Sequence, residues 1–193
     1  VIFNGLGYQI IGGINASDFN NIVIDKTGGD VTLNQDITIN GSATFTEGIL
    51  NSSSTNSINF LDDATVSGCT NASFVNGPVI KTGDDAFIFP TGKDGKYAPA
   101  GISAPGTKND IFTIEYFKTS FGDLSVFGTL IKVSSVEYWE IERTLSTSAV
   151  KVELYFNDAN FSGITNLNTN DIMVAHYNGV DWVDLGGIDG LLH

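Results

Sequence analysis

The chain has 193 residues, 41% hydrophobic and 16% charged, with 22 glycines and a formal net charge of -13. That composition sustains a packed interior rather than disorder, and so acidic a chain repels a phosphate backbone, which argues against nucleic acid as a partner. The single cysteine, Cys69, rules out an internal disulfide, and no apolar run reaches the ~18 residues of a membrane span.

The first residues, Val1-Ile-Phe-Asn-Gly5, begin in mid-pattern without an initiator Met. They read as an internal stretch of a longer protein, with any export signal outside it. From there to residue 82 the chain alternates short strands with Gly or Asn turns. Apolar and polar residues alternate in Ile22-Val-Ile-Asp25, Val31-Thr-Leu33, Ile37-Thr-Ile39 and Ala43-Thr-Phe45, the period of a strand with one wet face. Turns are expected at Asn4-Gly5, Gly12-Gly13, Gly28-Gly29, Asn40-Gly41 and Asn76-Gly77. The polar run Asn51-Ser-Ser-Ser-Thr-Asn-Ser57 reads as a loop.

One pattern occurs twice. Val31-Thr-Leu-Asn-Gln-Asp-Ile-Thr-Ile-Asn-Gly41 matches Ile58-Asn-Phe-Leu-Asp-Asp-Ala-Thr-Val-Ser-Gly68 position by position, and Val23-Ile-Asp-Lys-Thr-Gly28 is echoed by Val79-Ile-Lys-Thr-Gly83. Repeats of short strands and turns at this spacing predict stacked rungs. Val31, Leu33, Ile37, Ile39 and Phe45 are accordingly expected to stack on Ile58, Phe60, Ala64, Val66 and Phe74. Thr32, Thr38, Thr44 and Thr65 should face outward.

Beyond Gly83 the repeat stops. Strands are expected near 86–89, 97–102, 111–117, 131–143, 149–156, 172–177 and 180–185, with Tyr177-Asn-Gly-Val-Asp-Trp182 as a hairpin turning at Asn178-Gly179. The fold class is therefore all-β: a β-solenoid over residues 1–82, then an antiparallel β-sandwich over 83–193.

Val1-Ile-Phe-Asn-Gly5, Gln9-Ile-Ile-Gly-Gly13, Asn76-Gly-Pro-Val-Ile-Lys-Thr-Gly83, Phe87-Ile-Phe-Pro-Thr-Gly92 and Val136-Glu-Tyr-Trp-Glu-Ile-Glu-Arg143 resemble segments of very large secreted cell-surface proteins of Bacteroidetes. The resemblance implies a secreted or cell-surface, adhesin-like protein exported by the type IX route. It implies no catalytic residues.

Residue chemistry leads the same way. A nucleophile needs a base beside it, but His176 and His193 lie in no nucleophile motif. Asp62-Asp63 and Asp84-Asp85 are adjacent pairs that point to opposite faces if extended. Glu140 and Glu142 share a face, but Trp139 and Ile141 should point inward there. No enzyme is expected. The oxygen-rich turns at Asp84, Asp85 and Asp94 would suit calcium, and no other cofactor is foreseen. Trp182 and Tyr177 are the candidate ligand-binding aromatics, for sugar stacking. The sequence thus predicts a non-enzymatic structural or adhesion module, its partners surface polysaccharide or neighbouring segments of its parent protein. The alternative is a carbohydrate-binding module.

Overall fold

The computed structural model describes residues 1–156, 159–164 and 171–185. It is all-β: among the described residues the one α-helix is a single turn, α1 (Ala159–Ser162). The chain divides into two compact units. The first comprises residues 1–116 with 139–153, and the second residues 117–138 with 154–193.

The first unit is a solenoid of about four turns. Its strands are β1 (Ile2–Asn4), β2 (Gln9–Ile11), β3 (Ser17–Asp25), β4 (Val31–Leu33), β5 (Ile37–Glu47), β6 (Leu50–Asn51), β7 (Ile58–Phe60), β8 (Thr65–Ser67), β9 (Val75–Asn76) and β10 (Val79–Thr82). They form two parallel ladders. One runs β2-β4-β6-β9; the other runs β1-β3-β5-β7-β10, with β8 also on β5. Inward residues are sealed: Val31, Leu50 and Val75 are fully buried in the first ladder, and Ile39, Phe45, Ile58, Phe60 and Val79 in the second. Outward neighbours are polar and half-exposed, Thr32, Thr38 and Thr44 among them. The alternation expected from sequence is therefore present.

The register differs from the one the sequence repeat suggests. Ile37 and Ile39 stand beside Ile58 and Phe60, and Ile58 beside Val79, so one rung of this wall takes 21 residues. Val31 does not stack on Ile58 but on Leu50, and Leu50 on Val75. The repeated sequence thus lies one wall out of step with the repeated structure. Its two copies close their rungs with turns of different length, and backbone pairing follows the turns. Asn40-Gly41 is likewise not a turn. It lies inside β5, where the pairing with β3 shifts register, so the strand changes direction without leaving the ladder.

Turns between rungs are fixed by close approach. A Cβ on Gly48 would sit 2.4 Å from Lys26 Cβ, and its φ is +89°, a conformation glycine adopts without steric cost. Lys26 is itself buried. Its ammonium group donates to the carbonyls of Asn4 and Gly7, which tethers the first turn to the next one down.

Parallel pairing ends at β10. The following strands are β11 (Phe87–Phe89), β12 (Gly92–Lys93), β13 (Lys96–Tyr97), β14 (Ala100–Ile102), β15 (Ile111–Phe117), β16 (Tyr138–Leu145) and β17 (Val152–Leu154). β15 lies antiparallel on β10, with Val79 opposite Ile114 and Lys81 opposite Phe112, and Phe112, Ile114 and Tyr116 are buried. β11, β14 and β17 form a small sheet and β12-β13 a hairpin. Trp139 reaches inward, its Nε1 donating to the Ala98 carbonyl at 3.0 Å and its ring 5.2 Å from Tyr116. The strand expected over 131–143 starts only at Tyr138; Ile131 is 92% exposed. The antiparallel part is seen as these small sheets.

The second unit holds the hairpin of β18 (Ala175–Tyr177) and β19 (Trp182–Asp184), with Tyr177 opposite Trp182. Its turn spans residues 178–181 rather than Asn178-Gly179 alone. The Asn178 side-chain oxygen accepts from the N–H groups of Val180 and Asp181, an Asx-type closure.

The buried faces can be tested by truncation. Leu33→Ala or Phe60→Ala should lower stability by roughly 2–5 kcal/mol, and Thr38→Ala by well under half as much. Chemical denaturation that shows equal, small losses for all three would mean the inward and outward faces are wrongly assigned.

Candidate functional site

Two places gather the residues that the sequence marks for function. The first is a corner of the solenoid where the turn after β7 meets the turn after β10. Stacking of β10 on β7 lays Asp62 and Asp63 against Asp84 and Asp85, each pair 22 residues apart. The two turns hold each other through side chains. Asp85 Oδ2 accepts from the Asp63 N–H at 2.7 Å, and Asp62 Oδ1 from the Asp84 N–H at 3.3 Å. Gly83 allows the contact: a Cβ there would lie 2.9 Å from Asp62 Cα, and its φ of +147° suits glycine alone.

One carboxylate oxygen each from Asp62, Asp84 and Asp85 lies within 4.8 Å of the others. Oxygen groups so placed are the ligand type that a calcium ion takes. Two of the three already face an ammonium group. Lys108 Nζ is 2.6 Å from Asp62 Oδ2, and Lys81 Nζ is 2.9 Å from Asp85 Oδ2. Lys81 is fully buried. It also donates to the Leu61 carbonyl at 2.7 Å and stands 5.3 Å from the Phe87 ring centre. A cation would therefore compete with two lysines, one of them locked in the core.

Sequence reasoning found Asp84 and Asp85 but not Asp62 as their partner, nor the two lysines. Asp94 stays outside this group; it occupies the β12-β13 turn with a φ of +52°. Hydrogen bonding to Lys108 holds the Asp62 carboxyl below the ordinary aspartate range, and Lys81 does the same for Asp85. Asp110 is pulled down chiefly by the Ser148 hydroxyl.

The second place is the aromatic cluster of the second unit. The Phe121 ring touches Tyr138, Tyr177 and Trp182 at centroid distances of 5.2, 4.8 and 5.2 Å. Tyr177 and Trp182 lie 5.7 Å apart. Asp123 ties both polar ends: its carbonyl accepts from Trp182 Nε1 at 2.7 Å and its carboxylate from the Tyr177 hydroxyl at 3.3 Å. Burial and the nearby Asp123 charge push the Tyr177 hydroxyl above its ordinary pKa. The candidate sugar-binding pair is thus brought together, but much of its ring surface is spent on Phe121. Both side chains are half-buried.

His176 is exposed on β18, as are Glu140 and Glu142 on β16; His193 lies outside the described residues. No protein-family model, curated protein or solved structure matches the chain.

The acidic corner makes two predictions. Asp85→Asn leaves the buried Lys81 without its carboxylate and should cost roughly 2–3 kcal/mol, below the range for a fully buried pair because Asp85 is 31% exposed. Lys108→Ala, at a side chain 67% exposed, should change the denaturation midpoint little. Losses of equal size would contradict the asymmetry. The second prediction concerns acid. The folded pKa values of Asp62, Asp85 and Asp110 lie below their unfolded ones. The stability these groups lend is therefore complete above about pH 4 and is lost as the pH falls through the lower folded values. Stability should drop steeply below about pH 4, and less steeply in Asp85→Asn.

Proposed function

We propose that the chain is a non-enzymatic structural or adhesion module of a secreted or cell-surface protein. The observation that carries the reading is the solenoid. Its interior is filled by stacked aliphatic and aromatic side chains, and its walls present hydroxyl and amide groups outward. Thr44 meets Ser67 at 3.5 Å, Asn76 donates to Asn51 at 2.9 Å, and Thr82 to Asn59 at 3.1 Å. Such a stack adds reach and surface with each rung and works by contact. A resemblance to large secreted Bacteroidetes surface proteins, type IX export and a sandwich over residues 83–193 belong to the same reading. The small antiparallel sheets speak for the sandwich. Surface polysaccharide or neighbouring segments of the parent protein would be the partners.

A second reading, a carbohydrate-binding module, rests on the adjacent Trp182 and Tyr177 rings. A glycan array on the whole chain separates the two. Binding that is lost in Trp182→Ala, with the fold intact by circular dichroism, would favour the carbohydrate-binding reading. The main reading predicts no release of reducing sugar from any common polysaccharide. Release abolished by Glu140→Gln or Glu142→Gln would overturn it.

A further inference from the structure

The side chains of Tyr177 and Trp182 carry one polar atom each, and Asp123 takes both. Its backbone carbonyl accepts from Trp182 Nε1 at 2.7 Å, and its carboxylate accepts from the Tyr177 hydroxyl at 3.3 Å. Neither ring keeps a donor for a ligand. What these half-buried side chains offer to solvent is ring carbon, so a partner must lie on them through C–H groups, as the carbon face of a sugar does.

Charge decides which sugars can do so. The Ser125 N–H, 2.8 Å from the other Asp123 oxygen, holds that carboxyl below the ordinary aspartate range, so Asp123 is ionised at neutral pH. Asp181 directly precedes Trp182 in the chain. Burial raises the Tyr177 hydroxyl pKa most, and the charges of Asp123 and Asp181 raise it further, so both carboxylates are felt at the ring. Asp184, on the same strand as Trp182, accepts from Thr129 Oγ1 at 2.9 Å. Over residues 117–138 and 154–193 the sequence sets six aspartates and Glu137 against Lys118 and Lys132. Lys118 is engaged: its ammonium group donates to the Phe161 carbonyl and stands 3.7 Å from that ring's centre.

We propose that the Tyr177–Trp182 pair takes a glycan free of carboxylate and sulfate groups and turns acidic glycans away, with Asp123 and Asp181 as the charges that set this specificity. The proposal rests on the carbohydrate-binding reading and adds the charge class of the ligand. An acidic sugar stacked on either ring brings its own anion close to carboxylates that have no cation to spare for it, and like charges repel. The acidic field of the whole unit opposes its approach before contact. A neutral sugar meets neither obstacle.

A glycan array probed with the whole chain at low salt, holding neutral, uronate and sulfated members, tests it. Hits should be confined to the neutral members. The carboxymethylated form of a neutral hit should bind about fivefold more weakly or worse, the scale set by two like charges several ångström away in water. That deficit should shrink in Asp181→Asn and as salt is raised, since screening weakens the repulsion. Trp182→Ala, with circular dichroism unchanged, should remove the neutral hits. Acidic glycans bound through Trp182 as well as neutral ones, or a deficit indifferent to both salt and Asp181→Asn, would overturn the charge selection and leave the carbohydrate-binding reading standing. No hit at all, or hits that survive Trp182→Ala, would overturn both.

Discussion

In-register parallel hydrogen bonding between successive rungs is the constraint on which the first unit depends. Each strand of a rung contributes only a few inward side chains, a single one in β6 and β9, too few to bury themselves. Once the backbone ladders lock, Ile37 lies beside Ile58, and Ile58 beside Val79. The same lock brings polar outward residues into rows, so the hydroxyls and amides of one rung find partners on the next. It also decides which turns meet, and so where charge collects.

Two buried lysines show how the turns serve that constraint. Lys26 and Lys81 occupy the echoed Val-Ile motifs, and both are sealed from solvent. An ammonium group is tolerated inside only where its donors are satisfied. Lys26 reaches the carbonyls of Asn4 and Gly7, and Lys81 that of Leu61 and the carboxylate of Asp85. Each thereby ties its own turn to the turn before it. The acidic corner follows from this arrangement: Asp85 answers a buried charge, and Asp62 and Asp85 staple two backbone turns together.

Alternation was legible in the sequence because it is local: Ile37-Thr-Ile39 and Ala43-Thr-Phe45 show which side chains go inward. Register was not legible, because it depends on turn length. The polar segment after Leu50 occupies seven residues before Ile58, while Asn34, Gln35 and Asp36 suffice between Leu33 and Ile37. A matched sequence therefore does not mean a stacked one. Asn40-Gly41 carries a turn signature, yet a continuous strand uses it to bend. For the candidate sites, Asp84 and Asp85 were readable as an oxygen-rich turn. Asp62 and Lys108 join them only through the register and could not be found by spacing. Trp182 and Tyr177 were readable as neighbours across a hairpin. Phe121 and Asp123, which hold them, lie more than fifty residues away and bear no motif.

The register itself is the claim most open to direct test. Outward Thr38 and Asn59 are paired across β5 and β7, and neighbouring strands lie about 4.8 Å apart, within reach of a disulfide. In a Cys69→Ser background, Thr38→Cys with Asn59→Cys should oxidise readily to an intramolecular cross-link. Thr32→Cys with Asn59→Cys, the pair that stacking by sequence repeat would join, should not. Cross-linking of the second pair and not the first would contradict the 21-residue rung and the arrangement of turns and charges built on it.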